Sequence, residues 1–174
     1  MDASLVMTII GRDRPGLVES VAQVVAAHGG NWLESRMSRL GGHFAGILRV
    51  SVPASQEPAL EAALQSLRSV GLVVTLHRDE ATAEPPVARG AVLEIVGQDR
   101  PGIIREISHA LAVSGVNVEE LESECSNAAM SGEAIFKARF RVNLPASCPL
   151  EVLRGRIERI AADLIMDATL NPAH

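Results

Sequence analysis

The sequence predicts an α+β protein in which one β-α-β-β-α-β unit is used twice, and three observations carry that prediction. The first is a repeated turn: Gly11-Arg12-Asp13-Arg14-Pro15-Gly16 returns 86 residues later as Gly97-Gln98-Asp99-Arg100-Pro101-Gly102. The second is its setting, because each copy follows a short apolar run and opens a stretch with helical spacing. The third is Asn31, which returns at the same offset as Asn117.

The elements follow in order. Leu5, Met7 and Ile9 alternate with Val6, Thr8 and Ile10, and Ala91, Leu93 and Ile95 alternate with Val92, Glu94 and Val96, so both runs read as strands with Thr8 and Glu94 on the more polar face. Val18, Val21, Ala22 and Val25 then fall at helical spacing, matched by Ile104, Ile107, Ser108 and Leu111. Pro15 and Pro101 suit the first turn of these helices, and Gly29-Gly30 and Gly115 suit their ends. Two more strands follow each Asn, the second being clearer, with Phe44 to Val52 and Phe136 to Leu144 alternating before Pro53 and Pro145. Those prolines lie 92 residues apart, so six extra residues fall in the second hairpin, around Ser126 to Gly132. Second helices are marked by Leu60, Leu64 and Leu67, and by Leu153, Ile157, Ile160 and Leu164. Last strands are expected near Leu72 to His77 and Ile165 to Leu170, the latter interrupted by Asp167. Right-handed crossovers place both helices on one face of a four-stranded antiparallel sheet, the ferredoxin-like arrangement. The expected domains are residues 1–80 and 91–174, joined by a linker at 81–90 that holds Glu84-Pro85-Pro86.

Bulk properties narrow the function. A 47% hydrophobic and 21% charged composition is that of a globular chain, and a net charge of −5 argues against binding that relies on neutralising phosphates. No basic n-region begins the chain and no apolar run approaches a membrane span, so a cytoplasmic, soluble protein is expected. Cys125 and Cys148 form no C-x-x-C pair and read as free thiols, while the five histidines show no ligand spacing, so neither metal nor cofactor is expected. No nucleophile elbow or phosphate-binding loop is present, which favours a non-enzyme. Two small domains leave strand edges to cover, so the sheets are expected to pair edge to edge or the chain to form a homo-oligomer.

The strand, the D-R-P-G turn, the helix and the following Asn resemble the ACT domain over nearly the whole chain, in two copies. Gly29-Gly30-Asn31-Trp32-Leu33-Glu34-Ser35-Arg36 with Gly41-Gly42-His43-Phe44-Ala45-Gly46 more narrowly resembles the glycine cleavage system transcriptional repressor family, itself a tandem of two ACT domains. A shorter match, D-R-P-G with G-G-N-x-L-E-S, is similar to the amino-terminal module of formyltetrahydrofolate deformylase, an enzyme with a further catalytic domain. The resemblance implies a small regulatory module that binds an amino acid, with glycine the candidate, and bears on transcription; with no helix-turn-helix pattern and a net charge of −5, it is expected to act through a separate regulator rather than on DNA. The alternative is a protein-interaction module with no small-molecule ligand.

The resemblance implies ligand contacts at the Asp13 and Asp99 position and at Asn31 and Asn117. Many amino-acid-binding relatives carry Asn where this chain has Asp13 and Asp99. A carboxylate there favours the ligand's ammonium, and leaves its carboxylate to backbone N–H groups at the helix start or to Arg14 or Arg100. Gly16 and Gly102 would let the backbone approach. The bland reading makes Asp a helix cap and Asn31 and Asn117 turn residues. Gly29-Gly30 opens the approach to Asn31, whereas Val116 restricts it at Asn117, which slightly favours the first copy. Trp32 reads as a packing residue, Glu120, Glu122 and Glu124 as one solvated face, and Lys137, Arg139 and Arg141 as a solvated or partner-binding stripe.

Overall fold

The computed structural model describes residues 1–79, 89–127 and 132–173. Two compact units divide after Thr82, and each is a four-stranded antiparallel sheet with two helices. The first contains β1 (Asp2–Arg12), α1 (Leu17–Ala27), β2 (Asn31–Leu40), β3 (His43–Pro53), α2 (Glu57–Ser66) and β4 (Leu72–Arg78), in sheet order β2-β3-β1-β4. The second contains β5 (Arg89–Gln98), α3 (Ile103–Val113), β6 (Asn117–Asn127), β7 (Ala134–Leu144), α4 (Leu150–Asp163) and β8 (Met166–Pro172), in order β6-β7-β5-β8. This is the ferredoxin-like arrangement, twice.

Alternation decides which face each sheet buries. Leu5, Met7 and Ile9 of β1 and Leu48, Val50 and Val52 of β3 are buried against Val21 and Val25 of α1 and Leu60 and Leu64 of α2. Leu93, Ile95, Phe140 and Val142 meet Ile107, Leu111, Leu153 and Ile157 in the same way. Only one strand parity is buried, so both helices of a unit cover one sheet face and leave the other open. Trp32 is half-buried against the first core. A bulge at Leu33 of β2, matched by one at Glu119 of β6, resets the edge strand so that Glu34, Arg36 and Ser38 line the open face.

The structure refines the sequence expectations at several points. Pro15 and Pro101 precede the helices, which start at Leu17 and Ile103. Gly16 (φ 88°, ψ 2°) and Gly102 (φ 98°, ψ −5°) hold the left-handed third position of a type II turn, and proline is the residue that turn prefers one place earlier. Asp does not cap either helix, since Gly16 and Gly102 are the N-caps and no side-chain cap bond forms. Packing leaves no room for a side chain at Gly30, where a Cβ would lie 2.8 Å from Val25 Cγ1 and 2.9 Å from the Val25 carbonyl. Asp167 does not interrupt β8; it pairs with Val96 and faces outward. Strand β5 begins at Arg89, so Arg89 and Gly90 of the expected linker belong to it, and the linker's residues 81–88 lie outside the described residues. Most of the expected insertion, 128–131, is likewise outside them.

Candidate functional site

The turn after β1 is locked to the tip of the β2–β3 hairpin. Gly41 (φ 56°) and Gly42 (φ 77°) form a tight two-residue connection, and the Asp13 N–H donates to the Gly42 carbonyl at 3.0 Å. The Asp13 carboxylate meets Arg39 Nε at 2.7 Å, from the helix-facing side of β2. Arg14 reaches the other way and donates to the Val70 carbonyl at 2.9 Å. A concavity of about 260 Å³ opens here, lined by Asp13, Arg14, Gly16, Leu17, Val18, Glu19 and Phe44. Two carboxylates (Asp13 and Glu19), the Arg14 guanidinium and the unpaired N–H groups of a helix start thus border one small space.

The second turn differs in one decisive neighbour. The Asp99 N–H donates to the Ala134 carbonyl at 2.8 Å, as its counterpart does to Gly42. At the position of Arg39, opposite the Phe of the next strand, β6 carries Cys125. Asp99 therefore faces a thiol and, among the described residues, makes no ion pair. Desolvation raises the Cys125 pKa above its ordinary range, helped by the Asp99 charge and a hydrogen bond to it. Gly102 again starts the helix, and Arg100 lies half-buried between Asp99 and the proline.

Asn31 and Asn117 do not join these turns within their own units. Asn31 opens β2 opposite Ser51, whereas Arg12 at the end of β1 lies opposite His43. Eight residues of β3 separate those points, about 27 Å at strand rise. Asn117 is opposite Asn143, eight residues along β7 from the Ile135 that faces Gln98. The crossover explains this, because α1 and α3 carry the chain back to the end of the sheet where β1 and β5 began. Within one unit, therefore, Asn31 does not lie beside Asp13 and Gly16, nor Asn117 beside Asp99 and Gly102. Arg39 and Phe44 were not among the expected site residues. Their signal was available in the pattern, since Arg39 is the inward residue nearest the Gly41-Gly42 turn.

The basic stripe of β7 faces the open side of its sheet and is matched by acids. Lys137 Nζ lies 3.9 Å from Glu124, Arg139 Nε 3.7 Å from Glu94, and Arg141 Nη1 3.4 Å from Glu120. These exposed pairs are worth little individually. Among the described residues no group of three or more His, Cys, Asp or Glu side chains is placed to hold a metal ion, and no helix is long and apolar enough to cross a membrane.

Comparison with known proteins agrees with this architecture. The ACT domain family model matches residues 3–75. The glycine cleavage system transcriptional repressor of Escherichia coli (strain K12) is 24% identical over 168 residues, covering 96% of this chain and 88% of the relative. A crystal structure of an unknown protein from Galdieria sulphuraria superposes with a TM-score of 0.85 at 30% identity, over 100% of both chains. A second crystal structure, provisionally described as a glycine cleavage system transcriptional repressor, superposes with a TM-score of 0.71 at 20% identity, over 99% of this chain and 98% of that one, and shares the fold. The molecule is thus a tandem of two small α+β modules of one topology. Residues 3–75 match the ACT domain, the second unit repeats the same topology, and the chain resembles the glycine cleavage system transcriptional repressors along nearly its whole length. That relationship supports a regulatory role.

Proposed function

We propose that the protein is a non-enzymatic sensor that binds a small amino acid, with glycine the first candidate, and modulates transcription through a separate regulator protein. The carrying observation is the concavity beside the first D-R-P-G turn, where Asp13, Arg14 and the start of α1 border a space of about 260 Å³. That volume suits a compact zwitterion. The ammonium would sit on the Asp carboxylate and the ligand carboxylate on Arg14 or the N–H groups of the first helical turn. Asp99, Arg100 and Gly102 form the equivalent set in the second unit. The first unit offers the concavity, and the second a carboxylate that makes no ion pair among the described residues.

Calorimetry with glycine and with acetate, its deaminated analogue, tests this reading on the wild type, Asp13→Ala and Asp99→Ala. Loss of a charged hydrogen bond to the ammonium costs roughly 1.5–3 kcal/mol, or about one to two decades of affinity for glycine and little for acetate. Equal losses for both ligands would remove that Asp from the role. The alternative, an interaction module without a ligand, is favoured by one observation: Arg39 already engages the Asp13 carboxylate at 2.7 Å. It predicts no heat with either ligand.

A further inference from the structure

We propose that the residue at one register position, Arg39 in the first unit and Cys125 in the second, decides which D-R-P-G turn admits an ammonium group, and that the second turn is the one that does. The inference rests on the reading above that such a turn binds an amino acid. Each residue lies opposite the Phe of the following strand, Phe44 or Phe136, and each engages the Asp of its own turn. The two turns are otherwise built alike. Gly16 and Gly102 are N-caps in the same left-handed conformation, and the Asp13 and Asp99 N–H groups donate to Gly42 and Ala134 at 3.0 and 2.8 Å. The backbone thus takes one shape with or without the guanidinium, so Arg39 is not needed to build the turn.

What differs is where the charges are spent. In the first unit Arg39 Nε sits 2.7 Å from the Asp13 carboxylate, where an ammonium would bind, and Arg14 Nη2 donates to the Val70 carbonyl at 2.9 Å. Arg12 adds a third cation at the end of β1. In the second unit Gln98 stands at the place of Arg12 and Cys125 at that of Arg39. Desolvation, and then the Asp99 charge, raise the Cys125 pKa, so the thiol stays neutral. Arg105, at the place of Glu19, is taken up by Glu106 at 2.6 Å. Among the described residues Asp99 makes no ion pair, and Arg100 makes neither an ion pair nor a hydrogen bond. One carboxylate and one guanidinium are left for a ligand that carries one ammonium and one carboxylate. At the first turn the tethered guanidinium competes for Asp13 as though present at millimolar concentration, on the order of what a short tether gives. Arg14 and the N–H groups of α1 remain there for a carboxylate alone.

Calorimetry on the whole chain, with glycine and acetate as the probes, tests the assignment. The wild type should bind one glycine per chain and Arg39→Cys two. Cys125→Arg should weaken glycine by about tenfold or more and leave acetate no weaker, since the added guanidinium opposes only the ammonium. Cys125→Met, a long side chain without charge, should keep wild-type glycine affinity, which separates charge from bulk; circular dichroism checks that each variant folds. Two glycine sites in the wild type, equal losses of glycine and acetate in Cys125→Arg, or a loss in Cys125→Met as large as in Cys125→Arg would overturn the assignment and leave the amino-acid reading standing. No glycine bound by either the wild type or Arg39→Cys would overturn both.

Discussion

Replacing Gly46 by Ala tests the packing of the edge strand that delivers Arg39 to Asp13. Gly46 lies between Ile9 and Met37 in the sheet. A Cβ there would collide with Met37 Cγ and would lie 2.7 Å from the Arg36 carbonyl and 2.9 Å from Met37 Cβ. The side-chain contact can relax by rotation, but the carbonyl contact requires β2 itself to shift. Overpacking of this kind costs about 1–3 kcal/mol, and the stiffer unfolded chain returns about 0.4–1 kcal/mol of it. The net expectation is a loss of about 1–2 kcal/mol. For a domain of this size that is a fall of roughly 4–16 °C in Tm. The second unit shows the compensation, carrying Ala138 and Ser123 where the first has Gly46 and Met37. Adding Met37→Ser to Gly46→Ala should therefore give a favourable coupling of at least about 0.5 kcal/mol in a double-mutant cycle. Trp32 is the sole tryptophan, so its emission in a urea titration reports the first unit alone. An unchanged Gly46→Ala midpoint, or zero coupling with Met37→Ser, would refute the packing argument.

Three further outcomes follow from the structure. The Arg78 guanidinium, 2.8 Å from Glu57, holds that carboxyl below the usual glutamate range, chiefly by hydrogen bonding. Because the folded pKa is depressed, the stabilisation is full above the ordinary glutamate pKa and fades as pH falls through the lowered one; NMR titration should show Arg78→Met returning Glu57 toward its ordinary value, and an unmoved titration would break the link. Arg39→Ala should strengthen ammonium-bearing ligands at the first turn by freeing Asp13, and weaker glycine binding in calorimetry would count against that site. The isolated chain should give no salt-sensitive, sequence-selective shift of promoter DNA, since its net charge is −5; a selective gel shift by purified protein would contradict indirect regulation.

The doubled turn and the period-2 strands made most of the fold legible in the sequence. Leu5, Met7 and Ile9 show their buried parity directly, and Gly16 and Gly102 mark the turn through their conformational freedom. The site was less legible, because motif spacing carries no direction. Asn31 follows Asp13 closely in sequence, yet the crossover helix returns it to the far end of the sheet. The partner that matters, Arg39, arrives through strand pairing, and its replacement by Cys125 in the second unit is visible only once β2 and β6 are placed in register. The bulges at Leu33 and Glu119 also escaped, since one extra residue leaves no mark in an alternating pattern that is already weak. Pro15 was misplaced by two residues because proline serves both a helix start and a type II turn.

Thermal unfolding of the whole chain against each of the twenty amino acids addresses the sensing claim most directly. A ligand that binds the native state at 100 times its dissociation constant adds about 2.7 kcal/mol of stability. The account predicts that a small amino acid, glycine first, raises Tm in the wild type, that its deaminated analogue gives a smaller rise, and that Asp13→Ala or Asp99→Ala abolishes the difference. No rise with any amino acid at millimolar concentration would contradict it.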